Sequence, residues 1–252
     1  MSRSDFRRIL GATAVLLIAL APAAFAAGFN VAWNDCAGSG GVAAKVFACD
    51  TNTGTEDLVV SVRAPAGISR WVSFECELFF RMSVEPVPPW WQLRNQSGQS
   101  SQCRNGALSV LPVPPPGSTC TDAYLGQGAG GIGTYQIAPS GKSNQARLLT
   151  VFAVPMGTES VLQAGEEYFV QRVVVTHAKS AGSGACASCN LPVCAFVSFV
   201  RVVQVNGAPG GNVEVSTAAE SPSAAWQEGS DFCRQSNAAR KSSWGAVKSI
   251  YR

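Results

Sequence analysis

The chain has 252 residues, of which 14% are charged, with a formal net charge of +3, nine cysteines and one histidine. So small a charge excess argues against a nucleic-acid surface, and a single imidazole leaves little room for Ser-His-Asp or Cys-His nucleophilic sites. The length suits one large or two small domains, enough to bury a core without a metal.

Arg3, Arg7 and Arg8 precede an apolar run from Ile9 to Leu20, and Ala24-Phe25-Ala26 supplies the small-x-small pattern of a signal peptidase site. This predicts an export signal over 1–26, cleaved after Ala26. The run is too short for a hydrocarbon core that needs roughly 20 residues, so it reads as a signal rather than an anchor. No cysteine follows the cleavage point, which argues against a lipoprotein. Removing Arg3, Arg7, Arg8 and Asp5 lowers the net charge to +1. The mature chain is expected to be secreted, periplasmic or on the cell surface, with no membrane span after signal removal.

Residues 27–220 read as an all-β domain, an antiparallel β-sandwich of nine or ten strands. Glycine and proline punctuate the chain, and short runs rich in Val, Phe, Thr and Ile lie between them. The clearest strand is Trp71 to Met82, where Val72, Phe74, Cys76, Leu78, Phe80 and Met82 alternate with Trp71, Ser73, Glu75, Glu77, Phe79 and Arg81. A period of two puts the first set toward the core. Further strands are expected at Phe29–Trp33, Lys45–Cys49, Leu58–Arg63, Thr134–Ala138, Arg147–Val154, Tyr168–Thr176, Val193–Val205 and Asn212–Ser216.

Three stretches read as loops. The first lies between Pro86, Pro88, Pro89 and Pro112, Pro114, Pro115, Pro116, since proline donates nothing to a ladder and cannot sit in a central strand. The second, Gly126 to Gly133, lacks the Gly-Lys-Ser/Thr ending of a phosphate cradle. The third is Lys179 to Asn190. A tail is expected over 221–252, in which Ser243 caps a short helix with Trp244, Val247 and Tyr251 on one stripe, or no helix forms at all.

In an oxidising compartment cysteines default to disulfides. Sequence proximity suggests Cys36 with Cys49 and Cys103 with Cys120, each closing a loop of roughly 15 residues and contributing about 3 kcal/mol. Among Cys186, Cys189 and Cys194 one further bridge is expected, ending at Cys194. Nine is odd, and Cys76, buried by its phase, is the candidate for a free thiol. The alternative is a zinc site from His177, Cys186, Cys189 and Cys194, at a spacing no common zinc module uses.

Two small-ligand sites are candidates. Asp50, Asn52 and Glu56 carry oxygens near Gly54, as a calcium loop needs, although Val60 stands where the bidentate glutamate belongs; a plain turn explains the stretch as well. Calcium is the one cofactor suggested. Trp90 and Trp91, followed by Gln92 and Arg94, suit either a sugar-stacking platform or a core plug. Glu75 and Glu77 share one strand face, so no acid and base oppose each other across a sugar.

Asp57 to Val62, a turn at Ala66-Gly67-Ile68, Val72 to Phe80, and later Leu148 to Val154 with a turn at Gly165 before Tyr168 to Val175 resemble the strand succession of cohesin-like, immunoglobulin-related sandwiches. Trp33-Asn34-Asp35-Cys36 and the Cys-x-x-Cys-x4-Cys run at Cys186 also resemble uncharacterised exported bacterial proteins. The likeness covers residues 29–216 and brings no site with it. The function expected is a non-catalytic exported interaction or structural module contacting a protein or envelope surface. The alternative is a carbohydrate-binding module that holds polysaccharide on Trp90 and Trp91, and a hydrolase comes third.

Overall fold

The computed structural model describes residues 27–94, 102–227 and 229–233. The expected signal over 1–26 and the expected helix near Trp244 lie outside the described residues. Eleven strands follow in chain order among the described residues: β1 (Gly28–Trp33), β2 (Ala44–Lys45), β3 (Thr55–Arg63), β4 (Trp71–Met82), β5 (Leu108–Leu111), β6 (Ala129–Ile137), β7 (Gln145–Ala153), β8 (Glu167–Thr176), β9 (Val193–Gln204), β10 (Val213–Val215) and β11 (Ser223–Trp226). They form an all-β sandwich. The first sheet has the order β1-β3-β8-β5; the second has β2-β11-β9-β4-β7-β6, with β10 beside the far half of β9. All pairings are antiparallel except that of β11 with β2.

β4 is the spine of the second sheet, paired to β9 on one side and β7 on the other. Its inward set Phe74, Cys76, Leu78, Phe80 and Met82 is at most 1% exposed; burying each large apolar side chain is worth about 1.5–3 kcal/mol. The expected phase fails at one end. A register shift between Trp71 and Ser73 turns the chain over, so Trp71 is buried and Val72 only partly so.

Four elements depart from expectation. β2 ends at Lys45, so the stretch expected as a strand at Lys45–Cys49 is irregular beyond its first residue. β5 lies inside the proline-bracketed stretch, but as an edge strand paired only to β8, where proline neighbours are tolerated. β6 includes Gly130, Gly131 and Gly133 from the expected loop. There Gly130, at φ +148°, lets the backbone come so near β7 that a Cβ would meet the Val151 carbonyl oxygen at 2.0 Å. β11 lies inside the expected tail, so the sandwich continues past residue 220, and Cys233 is bonded back onto β9.

The bridges are Cys36–Cys120, Cys49–Cys189, Cys103–Cys186 and Cys194–Cys233, and Cys76 is free and buried. This corrects the pairing by proximity. Cys36 follows β1 of the first sheet, whereas Cys49 follows β2 of the second, and two sheets lie about 10 Å apart. Cys103 and Cys120 are separated by β5: the first lies beyond Thr176, the second beside Tyr168. Eight residues of strand put them roughly 26 Å apart. Cys186, Cys189 and Cys194 bond to three different regions rather than to one another.

The two sheets differ in their cover. In the first, Leu58 to Val62 of β3 are buried without a gap. A short turn at Ala37–Ser39 and the segment before β6 roof its outer face and are joined by Cys36–Cys120. The Glu167 carboxylate ties them down, accepting from Asn30 Nδ2 at 2.8 Å, Ser61 Oγ at 2.5 Å and the Gly38 amide at 2.8 Å. In the second sheet β4 and β7 alternate buried and partly exposed residues, as strands with one open face do.

Candidate functional site

Trp90 and Trp91 lie in a 3-10 turn, Pro89–Trp91, with both indoles 0% exposed. Trp90 Nε1 donates to Ser180 Oγ at 2.9 Å, and Tyr135 Oη donates to the Trp91 carbonyl at 2.6 Å. Trp226 meets both rings, at 4.8 and 5.4 Å between centroids, and Phe47 stacks on Trp226 at 3.8 Å. Gln92 donates to the Val87 carbonyl at 3.3 Å, and Arg94 is partly buried at the limit of the described segment. The expected sugar platform is therefore corrected: a ring that stacks on a pyranose must offer a bare face, and these indoles plug the sandwich end.

Arg104 locks this plug and carried no signal in the sequence. Its guanidinium lies 3.5 Å over the Trp90 ring and donates to the carbonyls of Ala178 at 2.8 Å, Trp90 at 2.9 Å and Thr176. Burial lowers its pKa to about 10, opposed by nearby Tyr135. Burial likewise pushes the Tyr135 phenol up.

Asp50, Asn52 and Glu56 are not assembled into one cradle. Asp50 is exposed. Asn52 makes a double hydrogen bond with the backbone of Ala181, at 3.0 and 2.9 Å. Glu56 accepts from Lys45 Nζ at 2.9 Å and meets His177 Nε2 at 2.8 Å. Asn52 and Glu56 fasten the loop that Cys49–Cys189 closes. His177 is 3% exposed, and the zinc alternative is overturned because Cys186, Cys189 and Cys194 are all in disulfides. Among the described residues, no three His, Cys, Asp or Glu side chains form a group able to hold a metal. Nor is any described helix long and apolar enough to cross a membrane.

Cys76 lies between the sheets, where Gln171 Nε2 donates to its sulfur at 3.6 Å and Thr150 Oγ1 donates to Gln171 Oε1. Burial, aided by Glu77, pushes the thiol far above its ordinary range. It is a packing group held protonated, not a nucleophile.

The remaining candidate is the outer face of the second sheet. Strand registers place Phe199 and Leu149 on either side of Glu77, and Arg201 and Val151 on either side of Glu75. Phe79 stacks on Phe196 with centroids 5.4 Å apart. Arg201 pairs with Glu75 at 2.9 Å and Glu214 at 3.3 Å, and Arg147 with Glu77 at 3.4 Å. Val151 is 46% exposed. The face carries partly exposed apolar side chains between ion pairs. Such exposed pairs contribute little to stability.

No family model and no curated protein matches the chain. Among solved structures it is similar to the sixth cohesin of scaffoldin B from Acetivibrio cellulolyticus, determined in complex with a mutant Cel5 dockerin. The identity is 9% and the TM-score 0.33, over 79% of this chain and 97% of that one. An overlap this small supports neither family membership nor a function.

Proposed function

We propose that the chain is an exported, non-catalytic interaction module, a disulfide-stapled sandwich that presents the outer face of its second sheet to a protein partner or an envelope surface. The observation that carries this reading is a difference in cover: loops tie down the outer face of the first sheet over β1, β3 and the start of β8, whereas the outward residues of β4 and β7 at Glu75, Glu77, Leu149 and Val151 are partly exposed or exposed. Aromatic and arginine side chains are the types enriched at protein contacts, and here Phe79, Phe199 and Arg201 share one surface with Leu149 and Val151. Export is supported by the Arg3-to-Ala26 pattern and by four bridges, which persist in oxidising compartments. The non-catalytic reading draws support from how the reactive groups are engaged: His177 and Glu56 hold each other, Cys76 is buried, and Glu75 and Glu77 pair with arginines.

The test places a photo-crosslinking residue at Val151, or at Val46 beside the edge strand β2, in the chain expressed in its own cells. A discrete adduct is expected from position 151 and lost in Leu149→Glu. Labelling from position 46 but not from 151 would move the contact elsewhere. N-terminal sequencing of the extracytoplasmic protein is expected to begin at Ala27.

A further inference from the structure

The end of the sandwich where β4 begins, opposite the tryptophan plug, carries apolar side chains that face water. Four large apolar side chains among the described residues are more than half exposed, and three of them, Met156 at 97%, Leu125 at 76% and Val161 at 56%, lie at this end. The strand register fixes their common place. Ala129 of β6 pairs with Ala153 of β7, so Leu125, four residues before the one, and Met156, three after the other, leave the sheet from a single rung and stay within about 13 Å of it. Ser160 exchanges two backbone bonds with Trp71 at the start of β4, at 2.8 and 3.2 Å, which holds Val161 at the same end.

The two turns that carry Leu125 and Met156 satisfy their polar groups internally. Asp122 caps the first: its carboxylate oxygens accept from the Tyr124 and Gly126 amides at 2.9 and 3.0 Å, and its carbonyl accepts from the Leu125 amide at 3.4 Å. The Gln127 amide donates to the Tyr124 carbonyl at 2.9 Å. Leu125 is held there at φ +51°, a conformation costly for a bulky side chain, and the strain serves no packing because that side chain lies mostly in water. Beneath it the Tyr124 ring packs on Trp71 at 5.2 Å between centroids, and its hydroxyl donates to the Val170 carbonyl at 2.8 Å. In the second turn Pro155 has no amide, and the Thr158 amide and hydroxyl both donate to the Pro155 carbonyl, at 3.3 and 2.7 Å. The Gly157 amide donates to Glu159, whose carboxylate pairs with Arg70 at 3.8 Å.

We propose that Leu125, Met156 and Val161 insert into a lipid membrane surface, as far as the boundary between headgroups and acyl chains. Single side chains projecting from separate turns need no matching cavities in a fluid acyl layer, whereas a protein partner would have to supply one for each. The amides from Tyr124 to Gln127 keep their partners when water leaves, so the cost that bars open backbone from hydrocarbon is small here. Asp122 and Glu159 are already engaged by amides and by Arg70, which leaves apolar transfer rather than attraction to anionic lipid as the driving force. Turns pinned in this way lose little freedom on binding. The surface is separate from the outer sheet face of the proposed function: the tips hold the module on a membrane while that face stays free for a partner.

The experiment mixes the whole mature chain with phosphatidylcholine vesicles. Met156→Cys is labelled with an environment-sensitive fluorophore, Cys76 being buried, and a blue shift that persists in about 0.5 M salt is expected. In flotation, Leu125→Gly with Met156→Ser should lower the partition coefficient of the unlabelled chain roughly ten-fold. Glycine keeps the left-handed turn, so the melting temperature is expected to stay at the wild-type value and to report an intact fold. No flotation of the wild-type chain, binding lost in salt, or binding unmoved by the double substitution would each overturn the proposal. A photo-crosslinking residue at position 156 that labels a protein and no lipid in the chain's own cells would make the tips a protein contact and overturn it as well. A discrete adduct from position 151 in a chain that does not float would discard the membrane contact and leave the proposed function standing.

Discussion

Leu58 to Val62 in the first sheet are buried without interruption, whereas β4 and β7 in the second alternate buried with partly exposed residues. The difference is made outside the sheets. Asp35, Asn30 and Glu167 anchor loops over the first sheet, with Ser118 donating to Asp35 at 2.5 Å and the amides of Glu220 and Ser221 donating to Asn30 Oδ1 at 2.9 Å. Polar groups satisfied in this way, with Asn30 fully buried and Asp35 and Glu167 partly so, hold these loops in one place. Nothing comparable ties a segment across Glu75, Glu77 and Phe79 among the described residues. A sandwich can therefore cover part of one outer surface, here over β1, β3 and the start of β8, and leave the middle of the other uncovered by any described segment.

Four outcomes would break or sharpen this contrast. The largest effect is expected at the plugged end. Trp90→Ala removes a fully buried indole together with its bond to Ser180 and its stacking with Arg104, and should cost about 3–5 kcal/mol. Thermal melting checks it, and an unchanged melting point would restore the sugar-platform reading. Next comes the roof. Cys36→Ala with Cys120→Ala should cost about 2–5 kcal/mol and speed amide exchange in β1 and β3 before β4, as hydrogen exchange would register.

Smaller again is a matched pair of truncations. Val59→Ala under the roof should cost on the order of 2 kcal/mol, while Val151→Ala on the open face should stay within about 0.5 kcal/mol. Equal costs in denaturant titrations would erase the distinction between the faces. The smallest effect concerns Cys76. Its folded pKa is raised, so the stability from keeping the thiol protonated is complete below the unfolded value of about 8.5 and is lost as pH rises above it, at up to about 1.4 kcal/mol per unit. Cys76→Ala should show a shallower alkaline decline, and the wild-type chain should yield one reactive thiol only after denaturation.

What was legible in the sequence follows from range. The bounds of β4 could be read directly because alternation is local, and the buried, free state of Cys76 came with its phase. β5 and β11, four residues each, are too short for periodicity to register. The glycines of β6 resemble a loop until the close approach to Val151 is known. Pairing of cysteines failed because distance along the chain says nothing about which sheet a residue joins. Trp90 and Trp91 were recognisable as alternatives of platform or plug, and only the neighbours Trp226, Phe47 and Arg104, remote in sequence, decide between them. The roof went unread, although Leu58-Val59-Val60-Ser61-Val62 lacks the polar alternation of a strand with one open face.

The order of the cysteines also bears on how the chain matures. As a polypeptide enters an oxidising compartment from its N-terminus, Cys36, Cys49, Cys76 and Cys103 emerge first, and none of these four is bonded to another in the folded protein. The first correct bond must wait for Cys120, and Cys49 must wait for Cys189. Oxidation in order of arrival would instead join neighbours such as Cys36 and Cys49, and those bonds would have to be exchanged later by thiolate attack. Maturation is thus expected to depend on a disulfide isomerase more than on an oxidase, and cells lacking the isomerase should accumulate chains with mispaired early cysteines.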